Sequence, residues 1–138
     1  MQRFLLILIA SICLPIFGFS QDFVVHKAQI DIDISEEGFF DVIENYDVEF
    51  LMPKHGIYRF IQTKYDLLNE HNENESRKIK IRNIKVPGHK ADIDFDFVQD
   101  LNDMLEIKIG NPNKTVSGHQ HYEIKYRVYN AFLFEENN

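Results

Sequence analysis

Ala28-Gln29-Ile30-Asp31-Ile32-Asp33-Ile34 alternates apolar and polar residues at every step. After Ser35-Glu36-Glu37-Gly38 the chain resumes with Phe39-Phe40-Asp41-Val42-Ile43-Glu44-Asn45-Tyr46-Asp47-Val48-Glu49-Phe50. A period of two sends successive side chains to opposite faces of a strand. Ala28, Ile30, Ile32 and Ile34 therefore share one face, and Gln29, Asp31 and Asp33 take the other. Such a strand is half-buried. Ser35 to Gly38 reads as a turn, with Gly38 free to take positive φ. Phe40, Val42, Tyr46, Val48 and Phe50 share one face of a second strand, and the two predict an antiparallel hairpin.

The same period runs outward along the chain. Pro53 to Gly56 breaks it, and residues 57–61 form a short apolar run. Residues 62–77 are mostly polar and read as a long exposed loop without internal structure. Ile79 and Ile81 share one face and Ile84 and Val86 the other, a slip that predicts a bulge near Asn83. Pro87-Gly88 ends that strand. Ile93, Phe95 and Phe97 then alternate with Asp92, Asp94 and Asp96. Leu105, Ile107 and Ile109 follow, closed by Gly110-Asn111-Pro112-Asn113. Tyr122, Ile124, Tyr126 and Val128 mark a last strand running toward Phe134. About seven short strands with turn signals between them predict an all-β domain, an antiparallel β-sandwich of immunoglobulin-like architecture.

The first twenty residues have a different character. Arg3 precedes an uncharged apolar run over residues 4–16, broken near its end by Pro15. Gly18-Phe19-Ser20 then offers small residues before a cut at Gln21. That is the layout of a secretory signal peptide, and the run is short of the ~20 residues a spanning helix needs. Residues 1–20 are expected to be a signal peptide and residues 21–138 the sandwich domain, secreted or periplasmic after cleavage. Ile12 stands before Cys13, where a lipoprotein signal wants a small residue. Cys13 is the chain's one cysteine, so a cleaved chain has no disulfide, no thiolate nucleophile and no cysteine metal site. Losing Arg3 takes the formal charge from −7 to −8. That acidic balance argues against nucleic acid as a partner, and no basic patch suggests anionic lipid. No second apolar run is long enough to span a bilayer, so the domain is expected to be soluble.

Three segments carry a resemblance. The first is Gly38-Phe39-Phe40-Asp41-Val42-Ile43-Glu44, followed by Tyr46 and Phe50. The second is His55-Gly56-Ile57-Tyr58-Arg59-Phe60-Ile61. The third is Leu105-Glu106-Ile107-Lys108-Ile109-Gly110, followed by Gly118-His119-Gln120-His121-Tyr122-Glu123-Ile124-Lys125-Tyr126-Arg127-Val128. In this order they resemble the N-terminal domain of the predicted membrane proteins catalogued as domain of unknown function 2207. The likeness runs from about residue 22 to residue 134, with His-Gly-Ile-Tyr-Arg its most specific part. It implies an extracytoplasmic β-rich domain that precedes transmembrane helices in a membrane-anchored protein. It implies no activity and no catalytic residue. Against that layout the chain looks like a truncated, split or short stand-alone member. The last strand is then expected to be an exposed edge, with Ala131-Phe132-Leu133-Phe134 uncovered. Self-association, a membrane-embedded partner or a strand-supplying protein would follow.

Several residues are candidates for chemistry. His119 and His121, at i and i+2 on a strand, point to one face, a spacing that zinc sites on strands use. A third ligand must come from elsewhere, with His26, His55, His71 and His89 the remaining histidines; the alternative is two solvent-facing rings. Asp92, Asp94 and Asp96 resemble the start of a calcium loop, but Phe97 stands where that loop needs glycine. Alternation makes them a wet strand face instead. Glu44 interrupts the apolar face of its strand, and Arg59 is the cation expected opposite it, since its fork matches a carboxylate. Alternatively His55, Tyr58 and Arg59 reach into a ligand cleft, or these are plain surface positions. Tyr122 is either a tyrosine corner, its phenol bonding upstream backbone, or an ordinary core tyrosine. Ser35, Ser76 and Ser117 sit in no nucleophile-elbow pattern, and no phosphate-cradling glycine loop occurs.

The leading expectation is a non-catalytic binding or interaction module of the cell envelope, with no cofactor. The alternatives are a metal-dependent hydrolase using His119 and His121, and a secreted carbohydrate-binding module that stacks sugars on Tyr58, Tyr65 or Tyr129.

Overall fold

The computed structural model describes residues 22–69, 71–94 and 103–132. Within them the chain is all strand and antiparallel: β1 (Phe23–Ile34), β2 (Phe39–Lys54), β3 (Gly56–Gln62), β4 (Lys64–Leu68), β5 (Asn74–Lys78), β6 (Lys80–Lys85), β7 (Ala91–Asp94), β8 (Met104–Gly110) and β9 (Val116–Tyr129). One sheet has the order β1-β2-β9-β6, a second β3-β8-β7, and β4 pairs with β5 as a separate hairpin. The expected signal peptide, the cut at Gln21, Phe95, Asp96, Phe97 and the tail beyond Phe132 lie outside the described residues.

Among the described residues, the stretches that alternate in sequence are strands. β1 and β2 form the expected hairpin, with Ile34 opposite Phe40 and Gly38 at φ 83° in the turn. β6 pairs with β9 through a register shift between Arg82 and Lys85, and Asn83 takes φ 56° there. That bulge re-phases the strand. Ile84 and Val86 accordingly return to the core side and pack on the same cluster as Ile79 and Ile81.

Nine strands lie among the described residues, because the stretch from residue 62 to 77 is not the structureless loop expected of it. It is taken up by the β4–β5 hairpin, beside which the Asn69 side chain accepts the backbone N–H groups of His71 and Glu73. Both faces of this hairpin are largely wet. It therefore leaves no apolar alternation to read.

Setting that hairpin aside, the four-plus-three division is that of a constant-type immunoglobulin domain. The order within the sheets differs. The last strand lies between β2 and β6 in the four-stranded sheet, whereas an immunoglobulin domain puts its last strand in the other sheet. β9 is thus an interior strand, not the exposed edge expected of it, and the edges of its sheet are β1 and β6. Phe132 is also covered in part. Its ring meets Phe40 edge-on at 5.6 Å, and its carbonyl accepts from Arg77.

The two sheets share one core. Val42, Val48 and Phe50 of β2 and Tyr122, Ile124, Tyr126 and Val128 of β9 face Ile61 of β3 and Leu105, Ile107 and Ile109 of β8. Full burial of each such aliphatic side chain contributes roughly 1.5–3 kcal/mol. β3 and β8 approach most closely where Gly56 faces Gly110. A Cβ on Gly56 would lie 1.9 Å from the Ile109 carbonyl oxygen and one on Gly110 1.9 Å from that of His55, and their φ angles are 137° and 145°.

Candidate functional site

Inside the sandwich, Glu44 projects from β2 toward β3 with only 1% of its surface exposed. Arg59 of β3 reaches across from the facing sheet. Its Nε lies 2.8 Å from Glu44 Oε2 and its Nη2 2.8 Å from Oε1, a two-pronged fork on one carboxylate. The Tyr46 hydroxyl donates to Oε2 at 2.9 Å and the Tyr126 hydroxyl to Oε1 at 2.7 Å. Arg59 Nη1 also donates to the carbonyl of Phe60. Burial pushes the Glu44 carboxyl up; the Arg59 and Tyr126 hydrogen bonds, the Arg59 charge and the Tyr46 hydroxyl outweigh it and hold the group below 4.5. Burial, then the bond to Glu44, raises both phenols. The carboxylate accepts four hydrogen bonds. Tyr46 and Tyr126 were legible as members of the apolar faces of β2 and β9, but their hydroxyls could be assigned only once the sheets were packed.

Arg59 faces inward, so its strand neighbour Tyr58 faces outward, and His55, Tyr58 and Arg59 do not converge on one point. His55 and Tyr58 share a pocket of about 240 Å³ beside Lys108 and Pro112, and the His55 ring meets the Lys114 carbonyl at 3.1 Å. Tyr58 and Arg59 share a different cleft of about 210 Å³, walled by Phe23 and Val25 of β1, Val48 of β2 and Ile57 of β3.

That cleft is the mouth of a larger opening. Register places Phe23, Val25, Ile30, Ile32 and Ile34 on the core face of the four-stranded sheet, opposite Phe50, Val48, Glu44, Val42 and Phe40. Yet Ile30, Ile32 and Ile34 are 52%, 58% and 66% exposed. The cause is geometric. The Arg59–Glu44 contact sets β3 over β2, and β3 is the edge of its own sheet. The lane beside β3, which would lie over β1, is empty among the described residues.

The outer face of the four-stranded sheet carries a row of polar side chains across β1, β2 and β9. His26 Nε2 lies 2.8 Å from Glu49 Oε2, and His119 Nε2 lies 3.8 Å from Glu49 Oε1. His121, two positions along β9, instead meets Asp47 through Nδ1 at 2.7 Å. Of the two histidines singled out in sequence, His119 thus joins His26, and His121 pairs separately. Glu49 was not a sequence candidate; only the pairing of Glu49 with His119 across β2 and β9 reveals it.

Tyr122 is seven residues into β9, opposite Tyr46, and not at a strand start. It is a buried core tyrosine whose ring lies 4.6 Å from His89, and among the described residues no hydrogen bond ties its hydroxyl to upstream backbone. The tyrosine corner is therefore corrected: the corner needs a strand-leading position, which the longer β9 gives to Val116. Asp92 is exposed opposite Lys108, as a wet strand face requires. Tyr58 stacks with Phe60 on the outer face of β3 at 6.2 Å and 8° between ring planes. Tyr65 donates to the Gln62 carbonyl, and Tyr129 packs on Phe39.

Among the described residues no helix is long and apolar enough to cross a membrane. No curated protein and no solved structure matches the chain at a significant level. A family profile, that of the predicted membrane protein (DUF2207) N-terminal domain, matches residues 24–137 and so takes in every strand but the first residue of β1. The chain belongs to this family, the N-terminal domains of predicted membrane proteins of unknown function.

Proposed function

We propose that this domain is a non-catalytic, extracytoplasmic interaction module of the cell envelope that accepts a β-strand from a partner along the open lane beside β3 and over β1. The observation that carries the reading is the stripe of Ile30, Ile32 and Ile34, core-facing by register and exposed in fact. An added strand would hydrogen-bond to the free edge of β3 and lay alternate apolar side chains on those isoleucines. This is the strand-addition mode of recognition, in which backbone bonds give affinity and side-chain contacts give specificity. Membership in a membrane-protein family supports a membrane-embedded partner.

A photoreactive residue at position 32, introduced in the native host, should form one discrete adduct with one protein. The same residue at position 33, on the opposite face, should form none. Equal labelling from both positions, or none from 32, would refute the reading.

A second reading, carbohydrate binding, is favoured by the near-parallel Tyr58 and Phe60 rings alone. It predicts that Tyr58→Ala abolishes retention on a polysaccharide column, whereas strand addition predicts no retention to begin with.

A further inference from the structure

We infer that His26, Glu49 and His119 form a binding site for a divalent transition-metal ion of the zinc class. The site lies on the outer face of the four-stranded sheet, opposite the open lane, and does not depend on the function proposed above.

The sequence builds the site through a bulge. β1 and β2 are in register from Phe23 to Val25 and again from Lys27 onward, with a shift between. The extra residue gives β1 two consecutive outward side chains, His26 and Lys27, where strict alternation would send one of them to the core. Bulges re-aim side chains in this way. His26 then leans over Glu49 of β2, and Glu49 stands directly opposite His119 of β9. Three adjacent, mutually bonded strands each supply one donor, so the backbone positions are fixed by the sheet.

The spacing suits a small ion. Zinc bonds of about 2.0–2.1 Å in a tetrahedral arrangement put donor atoms about 3.3 Å apart. His26 lies 2.8 Å from Glu49 Oε2 and His119 3.8 Å from Glu49 Oε1, so the two imidazoles meet different oxygens of one carboxylate at distances either side of that value. One donor atom from each residue lies within 4.8 Å of the other two, so modest side-chain rotations bring the set around an ion. Two imidazoles and one carboxylate favour zinc, copper, nickel or cobalt over calcium and magnesium, which prefer all-oxygen sets. His121 engages Asp47 through Nδ1 and stands outside the group. All three donors are reachable from solvent, leaving the remaining coordination positions to water or to a ligand atom from outside.

The test is a zinc titration of the chelator-treated full chain by calorimetry. We expect one saturable site per chain, with His26→Ala, Glu49→Gln and His119→Ala each weakening binding at least about tenfold, on the scale of losses seen when a site's shell is disturbed. His121→Ala should change affinity by less than about threefold, since it removes no donor. Melting curves of each variant check folding; His26→Gln and His119→Gln, closer in size and polarity, replace any alanine variant that melts early. Weak binding of several ions that survives the His26 and His119 substitutions would mean scattered surface imidazoles, and would overturn the site. So would a His121→Ala loss as large as that of His119→Ala.

Discussion

Replacing Arg59 by alanine should destabilise the domain by about 3 kcal/mol, far more than the equivalent change at Arg127. Both arginines fork onto a carboxylate with nearly the same geometry. Arg59 meets Glu44 at 2.8 and 2.8 Å, and Arg127 meets Asp41 at 2.7 and 2.8 Å. What differs is the acceptor's surroundings: the Glu44 side chain is 1% exposed and the Asp41 side chain 44%. Without Arg59, Glu44 keeps two phenol donors but becomes a buried anion without a counter-charge. Breaking a buried pair from one side costs about 3–5 kcal/mol. Arg59 is itself 30% exposed, so water can enter behind it, which puts the cost near the lower end. Arg127→Ala loses a pair that water screens and a stacking contact on Phe39. At roughly 4 °C per kcal/mol for a chain of this length, the melting temperature should fall by about 12 °C for Arg59→Ala, and clearly less for Arg127→Ala.

Acidity supplies an independent check on the same residue. Glu44 is held below 4.5 in the folded protein, so its paired form contributes stability that is present above the unfolded value and lost as pH falls through the folded one. In Arg59→Ala, burial is no longer offset by the fork, and the carboxyl moves up. A raised carboxyl is neutral, and so tolerated, at low pH and penalised as pH rises. The gap between wild type and variant should therefore be widest near neutrality and narrow between pH 7 and pH 4. Glu44→Gln in the Arg59→Ala background should recover part of the loss, with a coupling of about 1–3 kcal/mol in urea denaturation. Additive effects, equal costs at Arg59 and Arg127, or a gap that widens in acid would each refute the argument.

Three further outcomes are expected. Gly56→Ala and Gly110→Ala should each cost roughly 2–4 kcal/mol, because a Cβ meets backbone oxygen at both sites and both residues hold positive φ; denaturant midpoints measure it. Thr63→Val should be neutral or stabilise by about 1 kcal/mol, since the Thr63 hydroxyl is buried without a hydrogen-bond partner among the described residues while its backbone bonds to Asp103 and Ile79 remain. Intact-mass measurement of the exported protein should show a chain beginning at or near Gln21, and a mass that retains residues 1–20 would mean an uncleaved anchor.

The strands were legible because the long ones alternate apolar and polar residues, whether or not the apolar face is covered. Val42, Val48 and Phe50 alternate with Asp41, Asp47 and Glu49, and no fold can bury the first set without exposing the second. The β4–β5 hairpin was illegible for the converse reason: with both faces wet it carries no period. The bulge at Asn83 was readable because apolar residues flank it on both sides. The bulge at His26 was not, because Val24 and Val25 before it are both apolar and fit either phase. The order of strands has no local signature at all. That β9 lies between β2 and β6 follows from which faces can be covered together, and it decides where Tyr122, Glu49 and the free edges fall.

The open side of the sandwich also discriminates between occupants. β1 is the edge of its sheet, and the simplest use of a free edge is to pair with the same edge of a second copy. Here that pairing is opposed. The outward residues of β1 include Asp31 and Asp33, and antiparallel self-pairing would set these carboxylates against their own counterparts, where like charges destabilise. Self-pairing would also leave Ile30, Ile32 and Ile34 uncovered, because it extends the sheet in its own plane and places nothing over its inner face. A strand beside β3 does cover them and meets no carboxylate of β1, since Asp31 and Asp33 point the other way. The chain is acidic overall, at −7, so a strand whose solvent-facing positions are basic would be drawn to it over one that resembles its own. The charge pattern of β1 thus blunts the edge against copies of itself, and under the proposed strand addition its isoleucines would be covered by a different chain.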